Sequence, residues 1–171
     1  MQTLAQNMMV MNVIPPASHS TSASYIHTGA LTRFINMKNY AHVDFIVNMG
    51  TTLEATAQFS LYQAKAPGVS VTNSSISTTA LSVQEYWTNK ASVNGPFVRT
   101  AATSDIVAVD STNSATYIVG INATALNGTS DYDCVGIGVV SATISTTCFF
   151  QVTAILSGAR YEKDPLPTAK A

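Results

Sequence analysis

Two neighbouring segments of the chain alternate apolar residues with other residues. In the first segment the alternate positions are all apolar: Ala41, Val43, Phe45 and Val47. The same alternation runs from Leu53 to Leu61, and the residues in between are mostly polar. Because successive side chains of a β-strand point to opposite faces, both segments are predicted to be strands with one face in a core. Met49-Gly50 is the predicted turn between them. The polar stripe is expected to face water or a sister subunit.

Shorter segments of strand character follow, separated by residues typical of turns. No segment of ordinary helical length shows a helical period, and only residues 123–126 suggest a helical turn. The fold class predicted from about eight or nine strands is an all-β, antiparallel β-sandwich, although a barrel has similar strand spacing. The further strands are predicted at residues 25–27 and 31–35 (one hairpin), 81–87, 97–102, 106–109, 116–121, 134–140 and 146–156.

The two ends of the chain differ from the middle. Residues 1–22 contain Met8, Met9 and Met11, three of the six methionines, close together, and Pro15-Pro16, which cannot enter a central strand. We therefore predict an N-terminal arm over residues 1–22 and a sandwich over residues 23–158. Residues 159–171 contain five charged residues and two prolines, and they are predicted to form a C-terminal tail.

The low charge limits the classes of function. Only 10% of residues are charged, against about 25% in an average soluble protein. A sparsely charged surface is easily desolvated, which favours packing in an assembly, but it also suits an ordinary β domain with a Ser/Thr-rich exterior. The net charge is −1 and the basic residues are scattered, so we expect no nucleic-acid partner. We also expect no membrane span and no signal peptide.

No pattern of residues predicts catalysis, a cofactor or a metal. Asp44 and Glu54 are the best candidates for a catalytic pair of carboxylates. Both occupy polar-face positions on neighbouring predicted strands, which explains them without a catalytic role. The three histidines lack zinc spacing, and Asp131-Tyr132-Asp133 lacks the rest of a calcium loop. We therefore predict that the chain is not an enzyme.

The two cysteines, Cys134 and Cys148, lie in apolar predicted strands. Their strands are expected to be adjacent, so geometry does not forbid a disulfide bond. Without a secretory signal, we predict that both are free, buried thiols.

The layout of the chain resembles a family of phage proteins. NVIPPAS precedes the strands, ATALNGTSDYDCVGIGV leads into the last one, and ARYEKDPLPTA follows it. This plan resembles the jelly-roll decoration (cement) proteins of tailed-bacteriophage heads. The resemblance implies a homotrimeric jelly roll that binds the major capsid protein on the outside of the shell. Its location would be the virion surface, after synthesis in the host cytoplasm.

Partner contacts are expected at the two ends of the sandwich. Methionine-rich surfaces adapt to several shapes, and tyrosine and arginine are common at interface hot spots. The alternative for the arm is that it folds back on its own sheet. The residues predicted to bind a partner are Met8, Met9, Met11, Ile14, Arg160 and Tyr161.

Two other classes of protein fit the same pattern. One is another phage structural subunit, such as a tail-tube, tail-terminator or fibre-associated protein, which would form rings or tubes. The other is a carbohydrate-binding or adhesin sandwich, which should present an aromatic platform. The only tryptophan is Trp87, and Tyr86 precedes it.

Overall fold

The chain folds into two antiparallel sheets. A computed structural model describes residues 8–19, 34–50, 55–65, 78–83, 85–90, 95–102, 106–110, 114–126, 132–140 and 148–159. These residues contain eleven strands and one short 3₁₀ turn at Ala123–Ala125. The strands are β1 (Met9–His19), β2 (Ile35–Asn36), β3 (Tyr40–Met49), β4 (Ala55–Lys65), β5 (Thr78–Leu81), β6 (Glu85–Thr88), β7 (Val98–Ala101), β8 (Ile106–Asp110), β9 (Ala115–Asn122), β10 (Tyr132–Val140) and β11 (Cys148–Ala159).

The strand order is that of a jelly roll. Sheet A has the order β1-β11-β3-β9-β6-β7. Sheet B has the order β2-β10-β4-β5, and β8 also pairs with β4. Without the inserted strands β5, β6 and β7, the orders are β1-β11-β3-β9 and β2-β10-β4-β8, in which two Greek keys close a sandwich. The predicted fold class, an all-β antiparallel sandwich, is confirmed.

Two predicted connections were wrong. The strands predicted on either side of Met49-Gly50 are not neighbours, because β3 lies in sheet A and β4 lies in sheet B. The single strand predicted at residues 81–87 is two strands, since β5 ends at Leu81 in sheet B and β6 begins at Glu85 in sheet A. Alternation shows which way a side chain faces, but it does not show which strand lies alongside.

The core lies between the sheets and contains most of the predicted apolar stripe. Val43, Phe45 and Val47 are fully buried. Across the core, the rings of Phe59 and Phe150 meet edge to face, with centroids 5.3 Å apart. This geometry suits the charge distribution of aromatic rings.

Three side chains depart from the predicted stripes. Ala41 was predicted to be in the core but is exposed, because the alternation shifts where Tyr40 is buried instead. Ser60 and Tyr62 were predicted on a polar face, yet both are buried. They lie opposite Gly138 and Gly136 of β10, and both faces of these two central strands are covered.

The N-terminal region belongs to the sandwich. Residues 9–19, which were predicted to be an arm, form β1 and pair with β11 at one edge of sheet A. The register shifts between Ile14 and Ala17, at the two prolines, as expected because proline has no N–H to donate. The predicted boundary at residue 22 lies outside the described residues. At the other end, β11 runs to Ala159, and residues 160–171 lie outside the described residues.

Candidate interaction surface

Sheet A is the sheet with an open outer face. In sheet B the central strands are buried on both sides from Phe59 to Ala64 and from Cys134 to Gly138. In β3, β9 and β11 of sheet A, buried residues alternate with half-exposed or exposed ones. The outer face of sheet A is therefore the sheet surface that these residues offer to a partner.

An apolar band crosses this open face from β6 to β1. Trp87 is paired with Ile118, which is paired with Ile46. At the β1 edge of the sheet, Ile155 of β11 is paired with Val10 of β1. Residues directly opposite each other in an antiparallel pair share a face. Ile46 pairs with Thr153, and Ile155 lies two residues further along β11, so Ile155 is a diagonal neighbour of Ile46 on the same face. These five residues are called the apolar band.

The band is accessible at both ends. Trp87 is 44% exposed and Val10 is 53% exposed, and the three isoleucines between them are half-buried. An alternating antiparallel strand usually places polar residues on such a face. A row of large apolar side chains there is typical of a surface that binds another molecule.

Next to the band, His42 and Asp44 pair with each other. The two side chains approach to 3.0 Å between Nε2 and Oδ1, and Nδ1 of His42 lies 2.8 Å from Oδ1 of Asn122. Gly120 leaves room for the pair, because a Cβ at this position would lie 2.8 Å from Oδ1 of Asp44. The cluster is polar but presents no unpaired carboxylate.

The β7 edge of sheet A has two more exposed apolar residues. Phe97 is 42% exposed and Val98 is 56% exposed. Among the described strands, β7 pairs with β6 alone. Arg99 of β7 forms an ion pair with Glu85 of β6, and the hydrogen bond and charge of Glu85 raise the pKa of Arg99.

The predicted contacts in and just before β1 are only partly accessible. Met8, Met9 and Met11 are half-buried, and Sδ of Met9 accepts a hydrogen bond from the Tyr40 hydroxyl at 3.4 Å. Ile14 is 2% exposed, so its predicted role is corrected: in this fold it packs in the core and cannot reach a partner. Arg160 and Tyr161 lie outside the described residues.

The predicted aromatic platform contains one ring, because the two aromatic side chains face opposite ways. Trp87 points outward, whereas Tyr86 is buried against Tyr117, with ring centroids 6.0 Å apart. Of the predicted pair, Trp87 is the ring that a sugar could reach.

Cys134 is a free, buried thiol, as predicted. The expectation that the two cysteine strands are adjacent was wrong, because β10 lies in sheet B and β11 in sheet A. Burial raises the pKa of Cys134 to about 12, helped by a hydrogen bond to Asp133 and its charge. The thiol donates to Oδ1 of Asp133 over 3.3 Å. A neutral thiol is a poor nucleophile and a poor metal ligand.

The described part of the chain contains no group of three or more His, Cys, Asp or Glu side chains placed to hold a metal ion. It also contains no helix with the length and hydrophobicity needed to span a bilayer. Among the described residues, the open face of sheet A is therefore the best candidate for a binding surface.

Comparison with known proteins adds no family assignment. No protein-family model matches this chain, and no curated protein matches it significantly.

Proposed function

We propose that the chain is a structural virion protein that decorates the outside of a phage head and stabilises the shell. The observation that carries the proposal is the jelly-roll strand order of the sandwich. Jelly rolls recur among viral capsid proteins. The assignment to a phage head follows from the resemblance of the chain ends to decoration proteins.

The proposed mechanism is physical rather than chemical. A protein that binds only the assembled shell stabilises assembly by mass action. A homotrimer gains avidity, because its second and third contacts with the major capsid protein are intramolecular. The shell contacts proposed here are Met8 just before β1, Met9 and Met11 in β1, and Arg160 and Tyr161, which follow β11 in the sequence.

The proposal is tested by heating shells that lack this protein, with and without the purified chain. Light scattering or the release of packaged DNA reports the temperature at which the shell fails. A saturating amount of the chain should raise that temperature, whereas unrelated β-sandwich protein at equal mass should not. An unchanged failure temperature, together with no co-sedimentation with shells, would contradict the proposal.

Trp87 supports a second candidate, a carbohydrate-binding module. An exposed indole can stack on a sugar ring, and Trp87 is 44% exposed on the open face of sheet A. Glycan-array binding that disappears in Trp87→Ala but persists in Val98→Ala would favour this candidate. Equal binding by both variants, or no binding by the wild-type chain, would rule it out.

A further inference from the structure

We propose, building on the homotrimer of the proposed function, that the apolar band is the surface through which copies of this chain associate. The partner of the band is therefore a second copy of the chain. The proposal identifies the subunit interface and leaves the shell to be bound by other surfaces.

Charge on the open face suits a second copy. Among the described residues near the band, Arg99 forms an ion pair with Glu85, and the Asp44 carboxylate is hydrogen-bonded to His42. A sister copy therefore meets charged groups that already have a partner within their own chain. Polar neighbours are paired too, since the Thr116 hydroxyl donates to Oδ1 of Asn48 over 2.9 Å. Apolar surface can thus be buried without an ion losing its partner, a loss that would be costly.

The size of the face is sufficient for a stable interface. Sheet A has six strands, which at about 4.8 Å spacing make it about 29 Å wide. Its strand β3 has ten residues, which at about 3.4 Å per residue span about 34 Å. Since β6 and β7 are shorter, the area is on the order of 800 Å², close to one side of a standard protein interface.

The position of the band suits association around an axis. Three copies can turn their open faces toward one threefold axis, so that each band contacts the two others. Trp87 would then be removed from water, as is typical of a hot-spot residue. The exposed pair Phe97 and Val98 lies at the β7 edge and is not part of the band.

The test is the solution mass of the full chain, measured by size-exclusion chromatography with light scattering. The wild type should have a mass that is a multiple of 18.0 kDa, with three copies expected. The double variant Ile46→Thr, Ile118→Thr should run as a monomer. Threonine keeps the β-branched shape that strands favour. The control Val98→Thr makes a similar change at an exposed side chain outside the band and should keep the wild-type mass.

Two results would overturn the proposal. One is a double variant with the wild-type mass, and the other is a wild-type chain that is monomeric at every concentration tested. Circular dichroism and thermal unfolding verify folding, and Ile155→Thr on β11 replaces the double variant if that fails to fold. Failure of the proposed function would look different, because an oligomeric wild type would then not co-sediment with shells.

Discussion

At the scale of single residues, Gly158 near the end of β11 is a position that only glycine fits without strain. Its φ is +63°, a conformation that costs an L-residue about 1–2 kcal/mol. It lies beside Ala41, where the burial alternation shifts. A Cβ at Gly158 would lie 2.9 Å from the Cβ of Ala41, so glycine satisfies two requirements at once.

Gly158→Ala is therefore expected to lower the free energy of unfolding by about 1–3 kcal/mol. Chemical denaturation measures the change. Adding Ala41→Gly should recover the steric part of the loss but not the backbone part. A Gly158→Ala variant as stable as the wild type would contradict this account of Gly158.

The thiol of Cys134 predicts a loss of stability in alkali. Its pKa is raised from 9.0 to about 12, so the folded protein holds a proton that the unfolded chain releases. The stabilisation is complete below pH 9 and is lost as the pH rises toward 12. Burial also raises the pKa values of Tyr40 and Tyr86 from 10.0, which adds to the effect at higher pH.

We expect the melting temperature of the wild type to fall more steeply between pH 9 and 10 than that of Cys134→Ala. The tyrosines are common to both proteins, so the difference isolates the thiol. Differential scanning fluorimetry at closely spaced pH values measures both slopes. If the melting temperatures of the two proteins fell equally with pH, the pKa of Cys134 would not be raised in the folded state.

At the scale of elements, β1 is a structural strand of sheet A. Val13 and Ile14 are buried in the core, and the strand pairs with β11 from Met9 to His19. Removing residues 1–16 would thus remove most of an edge strand as well as the predicted contacts. Point variants separate the two effects.

Ile14→Ala is expected to destabilise the sandwich by about 2–4 kcal/mol, because it leaves a cavity in the core. Val10→Ala changes an exposed side chain of the same strand and should cost less than about 1 kcal/mol. Urea denaturation of both variants compares them directly. Similar losses for the two variants would mean that β1 does not pack as described.

The position of most strands could be predicted from the sequence, but their neighbours could not. The alternation from Val43 to Val47 follows from the two faces of a strand, whatever lies beside it. The burial of Ser60 and Tyr62 depends on the glycines of β10 across from them. The apolar band depends on register too: Ile46, Ile118 and Ile155 each interrupt a polar phase, and only strand pairing aligns them.

At the scale of the whole molecule, the composition and the open face of sheet A support the proposed role in an assembly. Sheet A is open and apolar along one band, and near the band Arg99 pairs with Glu85 while Asp44 is hydrogen-bonded to His42. Charged residues make up only 10% of the chain. Removing such a surface from water costs little free energy of desolvation, and burying its apolar band against a flat apolar partner is favourable.

The most direct measurement of the central claim is electron cryo-microscopy of phage shells with and without added chain. The account predicts extra density on the outside of the shell, of the size of three sandwiches, at points where capsid subunits meet. Ile46→Thr, Ile118→Thr should reduce its occupancy, because a monomer loses the avidity of the trimer. Shells that look identical with and without the chain would contradict the account.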